Sequence, residues 1–199
     1  MSPIPKKESD FGIVLLAAGS SSRLGSPKQL LEWEGYTFIK RAALVAMEVS
    51  DKVVVVTGAQ DSAIKTELQG LPLVLVENDG AAEGIASSIR LGLNTLTITF
   101  AVDAVVFMVC DQPYLTPEII FALFEEAKNS QKGIVASAYG NTLGIPALFR
   151  RKYFPELLDL KGDTGAKKLI MQHLADTSSI PFPKGSIDID TAEDWDALI

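Results

Sequence analysis

The chain has 199 residues, 47% of them hydrophobic and 22% charged, with a formal net charge of −7. That length and composition suit one well-buried core, and the acidic balance excludes a global positive field that would draw the protein onto nucleic acid or an anionic membrane. Cys110 is the single cysteine, so an intramolecular disulfide is excluded, a cysteine-built zinc site has no support, and a reducing, cytoplasmic setting fits.

Along the chain, "MSPIPKKESD" is polar and carries no secretory core. Residues 1–10 are read as a flexible tail and residues 11–199 as a single domain. No segment reaches the roughly 18 apolar residues of a membrane span. "GIVLLAA" (12–18) is a continuous apolar run of the kind that forms a strand buried on both faces. It runs directly into "GSSSRLGSPK". Glycines at 19 and 25 allow a tight turn that aims backbone N–H groups at an anion. Arg23 adds a planar fork of donors and Lys28 a mobile point charge. The loop is neither a Walker loop nor a GxGxxG dinucleotide loop; a solvated Gly/Ser surface loop is the competing reading.

A helical pattern follows at 37–49, a strand run at 52–58 ("KVVVVTG"), a helix at 61–68 and a strand at 71–77 ("LPLVLVE"). Next comes "ENDGAAEGIASSIR", where glycines at 80 and 84 permit close backbone approach and Ser87 and Ser88 offer hydroxyls suited to a base or ribose. A plain glycine turn with a serine helix start is the alternative. A helix is expected over 86–96 and a strand over 103–110 ("DAVVFMVC"), ending at Asp111. A carboxylate at that edge can hold a divalent ion, or can cap the loop before the next helix. Thr116 and Pro117 read as N-cap and first-turn residues of a helix over 116–129, with Glu118 favouring its dipole. A strand at 133–139 follows. The last third reads as a strand, two helices, a short final strand in "SIDID" and a terminal helix. Strand alternation would send Asp188 and Asp190 to one face, while Asp190 could instead cap the helix beginning near Thr191. Arg150, Arg151 and Lys152 read as a solvated basic face, and His173 as a packing or surface residue.

Alternating strands and helices predict an α/β fold, a Rossmann-like three-layer sandwich with a mostly parallel central sheet. In such sheets ligands sit beyond the carboxyl ends of the strands, where each of these motifs falls.

"LLAAGSSSRLGSPKQLL" resembles the LAAGxSxRxGxxKxL signature of the molybdenum-cofactor cytidylyltransferase-like (MobA-like) nucleotidyltransferases. The resemblance implies a loop around nucleotide phosphates, with Leu16, Ala17, Ala18, Gly19, Ser20, Arg23 and Lys28 at matching positions. The guanylyltransferase branch reads LAGG where this chain has Ala18, which points to CTP. "CDQP" resembles the family's GDxP motif, with Cys110 in place of glycine, and implies Asp111 on Mg²⁺. "DIDTAEDW" resembles DIDTPEDL and implies Asp190 as a second ligand with Asp188 in support. The N…GxxxSI element implies nucleoside contacts from Asn78, Gly84 and Ser88. "GDTGAK" resembles GDxGAR and implies an acceptor site at Gly162, Asp163, Gly165 and Lys167, with lysine where the family has arginine. The catalytic set implied is Arg23, Lys28 and Asp111. The expected reaction is transfer of CMP from CTP to a molybdopterin-type phosphomonoester, with Mg²⁺ as cofactor and a molybdoenzyme or its maturation chaperone as partner. Proteins that look similar, such as nicotine blue oxidoreductase, offer an NAD(P)H-dependent oxidoreductase as the alternative, and a non-catalytic nucleotide sensor is a third class.

Overall fold

Five buried strands with apolar side chains on both faces force helices onto both sides of one sheet. The computed structural model describes residues 10–19, 27–59, 62–189 and 191–198. The chain-order elements are β1 (Phe11–Ala17), β2 (Glu32–Trp33), β3 (Tyr36–Thr37), α1 (Phe38–Val49), β4 (Val53–Gly58), α2 (Ser62–Glu67), β5 (Val74–Asn78), α3 (Ile85–Thr99), β6 (Ala104–Val109), α4 (Pro117–Ser130), β7 (Ile134–Tyr139), β8 (Thr142–Arg150), α5 (Phe154–Leu158), α6 (Lys167–Gln172), β9 (Thr177–Pro181) and α7 (Ala192–Leu198). Short 3-10 turns lie between several of them.

The main sheet runs β5-β4-β1-β6-β8-β7-β9. All its pairings are parallel except those of β8, which is antiparallel to β6 and β7. Side-chain alternation along β1 divides the core. Ile13, Leu15 and Ala17 face α1 and α4, and Val14 and Leu16 face α3, α5 and α6. This is the α/β three-layer arrangement expected, with a mostly parallel sheet.

The chain moves outward from β1 to β4 and β5, then crosses back to β6 on the other side of β1. The gap beyond the carboxyl ends of β1 and β6 is therefore a topological switch point, the usual ligand crevice of such sheets. Register fixes what arrives there, because Leu16 lies opposite Val109 and Gly58 opposite Asn78.

Several boundaries differ from expectation. β5 begins at Val74 because Leu71 and Leu73 bond locally to Leu68 and Leu71 carbonyls, and as an edge strand its first three residues are only half-buried. The final strand is β9, not "SIDID". β9 pairs with β7 through its backbone although only Ile180 of its residues is buried, whereas residues 187–189 run as irregular chain that bonds through Ile189 N to the Asp111 carbonyl at 3.2 Å. Thr116 occupies the N-cap of α4 but makes no side-chain cap bond; it bonds Glu118 instead, holding that carboxyl below the usual range. Thr191 caps α7 reciprocally with Asp194, at 2.9 and 3.2 Å. Arg150 and Arg151 donate to the Ala127 and Val102 carbonyls at 2.6 and 2.8 Å, and Lys152 pairs with Asp176 at 2.6 Å; Arg151 and Lys152 are exposed, as a solvated basic face requires, and Arg150 is half-buried. His173 is half-buried, 2.8 Å from Glu156 and tilted over Tyr153. Ser20, Arg23, Gly25, Asp190 and residues 1–9 lie outside the described residues.

Candidate active site

A cavity of about 590 Å³ opens at the switch point. The end of β1 and its loop supply Leu16, Ala17, Ala18, Gly19 and Lys28; the segment before α3 supplies Ala81, Ala82 and Gly84, and α3 itself Ile85 and Ser88; β6 supplies Val109, followed by Cys110 and Asp111; and Asp163 reaches in from the α5–α6 connection. One cavity thus gathers most of the expected nucleotide residues.

Lys28 and Asp111, 83 positions apart, meet at 2.5 Å, both largely buried. The ammonium neutralises the carboxylate where two strands end, and both side chains border the same hollow. Beside Lys28, the buried Gln29 donates from Nε2 to the Ala17 and Gly19 carbonyls at 2.9 and 2.7 Å, which ties down the base of the loop. Gln29 was not expected from sequence; its only signal is a polar side chain beginning an otherwise apolar stretch.

Asn78 stands behind the cavity wall rather than in it. Its Nδ2 donates to Ser87 and Ser88 hydroxyls at 2.8 and 2.9 Å, and its Oδ1 accepts from Gly80 N at 3.0 Å. It orients Ser88, which does line the cavity. Gly84 has φ +118° and leads into α3, a conformation that favours glycine.

A second hollow of about 430 Å³ shares Val109 and Asp111 with the first and continues over Gln112, the Tyr139–Thr142 turn, Gly185 and Asp188. Asp111 therefore stands between two spaces. Gln112 is held by Nε2 bonds to the Ile145 and Gly185 carbonyls at 3.1 and 2.8 Å. Burial, then the charges of Asp188 and Asp111, push the Tyr139 phenol up, so both carboxylates act on one ring. Burial pushes the Cys110 thiol up to about 12, the behaviour of a small apolar filler.

The expected acceptor residues separate. Gly162 and Asp163 stand against the 83–86 segment, Gly165 lies near Ile85, and Lys167 is exposed at the start of α6 and borders neither hollow. Among the described residues no group of three or more His, Cys, Asp or Glu is arranged to hold a metal. Asp111 and Asp188 are nonetheless hard oxygen donors bordering one hollow with Tyr139, a chemistry that suits Mg²⁺ or Mn²⁺.

Residues 13–177 match the family model described as the MobA-like NTP transferase domain. A curated relative from Bacillus anthracis, named probable molybdenum cofactor guanylyltransferase, is 27% identical over 194 residues, covering 94% of this chain and 90% of that protein. Among solved structures, the Rv0371c homologue from Mycobacterium sp. strain JC1 superposes with TM-score 0.79 at 30% identity, covering 96% of this chain and 95% of that one. Rv0371c of Mycobacterium tuberculosis H37Rv, in complex with manganese, gives TM-score 0.76 at 27% identity, covering 96% and 97%.

Proposed function

We propose that this chain, a nucleotidyltransferase that belongs to the MobA-like NTP transferase family, transfers CMP from CTP to a phosphomonoester acceptor, molybdopterin, forming molybdopterin cytosine dinucleotide. An acceptor phosphate oxygen attacks the α-phosphorus, the new P–O bond forms, the bond to the β-phosphate oxygen breaks, and pyrophosphate leaves with the electron pair. A phosphomonoester is largely ionised near neutral pH, so the acceptor needs no strong general base.

The observation that carries this reading is the Lys28–Asp111 pair in the larger hollow, with Asp111 also bordering the second. A triphosphate in the larger hollow would meet Lys28 and the Gly19 backbone at its charged end, and the glycine and serine wall of Gly84 and Ser88 at its nucleoside end. Arg23 and Ser20 belong to the same phosphate loop in sequence. An acceptor approaching over Asp188 would reach the α-phosphorus from the opposite side. This geometry makes positioning and charge neutralisation the main sources of rate. Asp111, Asp188 and Asp190 would hold a divalent ion, which when bound supplies neutralisation of phosphate charge.

Support for CTP comes from Ala18, which lines the cavity where the guanylyltransferase branch carries glycine. The name of the Bacillus relative favours a second reading, GMP from GTP. A panel of CTP, GTP, UTP and ATP, each with and without molybdopterin and with and without EDTA, separates them by pyrophosphate release. CTP with molybdopterin is expected to exceed GTP by about tenfold or more, and EDTA is expected to abolish release. A preference for GTP overturns the argument from Ala18; release unaffected by EDTA overturns the assignment of a divalent ion to the carboxylates.

A further inference from the structure

The segment between α5 and α6 is fastened to the nucleoside side of the cavity by residues to which the reaction assigns no role. Arg90, one helical stretch into α3, grips both carboxylate oxygens of Glu83 at 2.9 and 2.7 Å and also donates to the Leu160 carbonyl at 2.6 Å. Glu83 in turn accepts from Gly162 N at 3.4 Å. Ala86 N donates to the Gly162 carbonyl at 3.1 Å. The two backbones approach so closely that a Cβ on Gly84 would lie 2.5 Å from the Gly162 carbonyl carbon and oxygen, and against Asp163 Oδ1. The Arg90 guanidinium and the Gly162 N–H hold the Glu83 carboxyl below its usual range.

This fastening carries Asp163 into the cavity wall beside Gly84. Asp163 is an exposed residue of that wall, so its carboxylate is open to a bound molecule. An ionised carboxylate only accepts hydrogen bonds. It repels phosphate, and the divalent ion is assigned to Asp111, Asp188 and Asp190, so the partner left for it in a cytidine nucleotide is a neutral donor, of which there are two kinds: ribose hydroxyls and the exocyclic base amine.

We propose that Asp163 is a specificity-determining residue that accepts a hydrogen bond from a donor of the bound nucleoside, and that Glu83 and Arg90 are positioning residues that hold it there. The proposal rests on the nucleotidyltransferase reading above.

The test is equilibrium binding of CTP, 2′-deoxy-CTP, 3′-deoxy-CTP and UTP to the full chain with Mg²⁺; UTP replaces the cytosine amine with a carbonyl. Wild type is expected to bind CTP about tenfold or more tightly than one of the analogues, the weight of a hydrogen bond to a charged group, and the analogue that suffers identifies the donor. D163A should weaken CTP by about the same factor while leaving that analogue unchanged. R90A and E83Q should narrow the same ratio, R90K should restore part of it, and hydrogen exchange over residues 160–166 should rise in unliganded R90A. A merely structural role would weaken all four ligands equally. That result, or D163A retaining the wild-type ratio, overturns the proposal while the nucleotidyltransferase reading stands. Failure of wild type to bind any of these nucleotides or GTP overturns both.

Discussion

Cys110 sits one residue before the carboxylate that divides the two hollows, 5% exposed, in a place where the family signature carries glycine. Burial raises its thiol to about 12, the charge of Asp111 adds to the rise and that of Lys28 opposes it. A thiolate is the reactive form, so native Cys110 is expected to resist iodoacetamide at pH 8.5 and to alkylate readily once the chain is unfolded in guanidinium. The linkage has a definite sign. The unfolded thiol ionises near about 8.5, so the stabilisation from the buried neutral form is complete below that pH and is lost as pH rises toward 12. C110A should therefore flatten the stability–pH curve above pH 9. Rapid labelling of the folded protein would show that the thiol is accessible and that Cys110 is not a buried apolar filler. Gln29 makes the complementary point at this scale: its two bonds to the Ala17 and Gly19 carbonyls satisfy backbone groups that the strand end would otherwise leave unpaired near a buried edge.

At the scale of elements, α3 illustrates how packing selects residues that propensity would reject. Gly92 lies inside this helix, where alanine would be favoured by up to about 1 kcal/mol. A Cβ there would fall 2.9 Å from Val56 Cγ2 and still closer to Val14 Cγ1, and such overpacking costs about 1–3 kcal/mol. Gly92→Ala is therefore expected to lower the melting temperature by about 2–6 °C; an increase would mean that α3 stands further off the sheet. The elements legible in the sequence were those whose apolar pattern is also their packing pattern. β1, β4 and β6 are predominantly apolar runs because both faces are covered, β7 opens on one at Ile134–Ala136, and α1 and α4 start within one residue of the expected positions. β9 was illegible because its pairing is made by backbone at a sheet edge with one buried side chain, and "SIDID" alternates like a strand while serving as a strap over Asp111. The β2–β3 hairpin, turned by Glu34 and Gly35 at φ 51° and 84°, is too short to produce a period. Within the site, loop positions defined by glycine and charge were readable, whereas Glu83 and Arg90 were not: seven residues apart, they look like an ordinary helix-face ion pair until Leu160 and Gly162 come into view.

The molecule as a whole makes one site from parts distant in sequence because β1 and β6 are adjacent while their connections leave in opposite directions. Lys28 follows one strand and Asp111 the other, and their contact at 2.5 Å depends on the sheet rather than on any local motif. Each isolates the other's charge from a partly buried setting, so removing one leaves the other uncompensated. D111N and K28M are each expected to lower kcat/KM for pyrophosphate release by about a hundredfold or more, the scale seen when a preorganised charge is removed from an active site. The double variant should lose little beyond the worse single variant, since groups that act as a unit are strongly non-additive. Losses that instead multiply, with folding intact by circular dichroism, would show that the two side chains act on separate steps. Near-wild-type activity in both single variants would instead reduce the pair to a stabilising contact between strand ends, and the nucleotide would have to be held chiefly by the loop amides and Arg23.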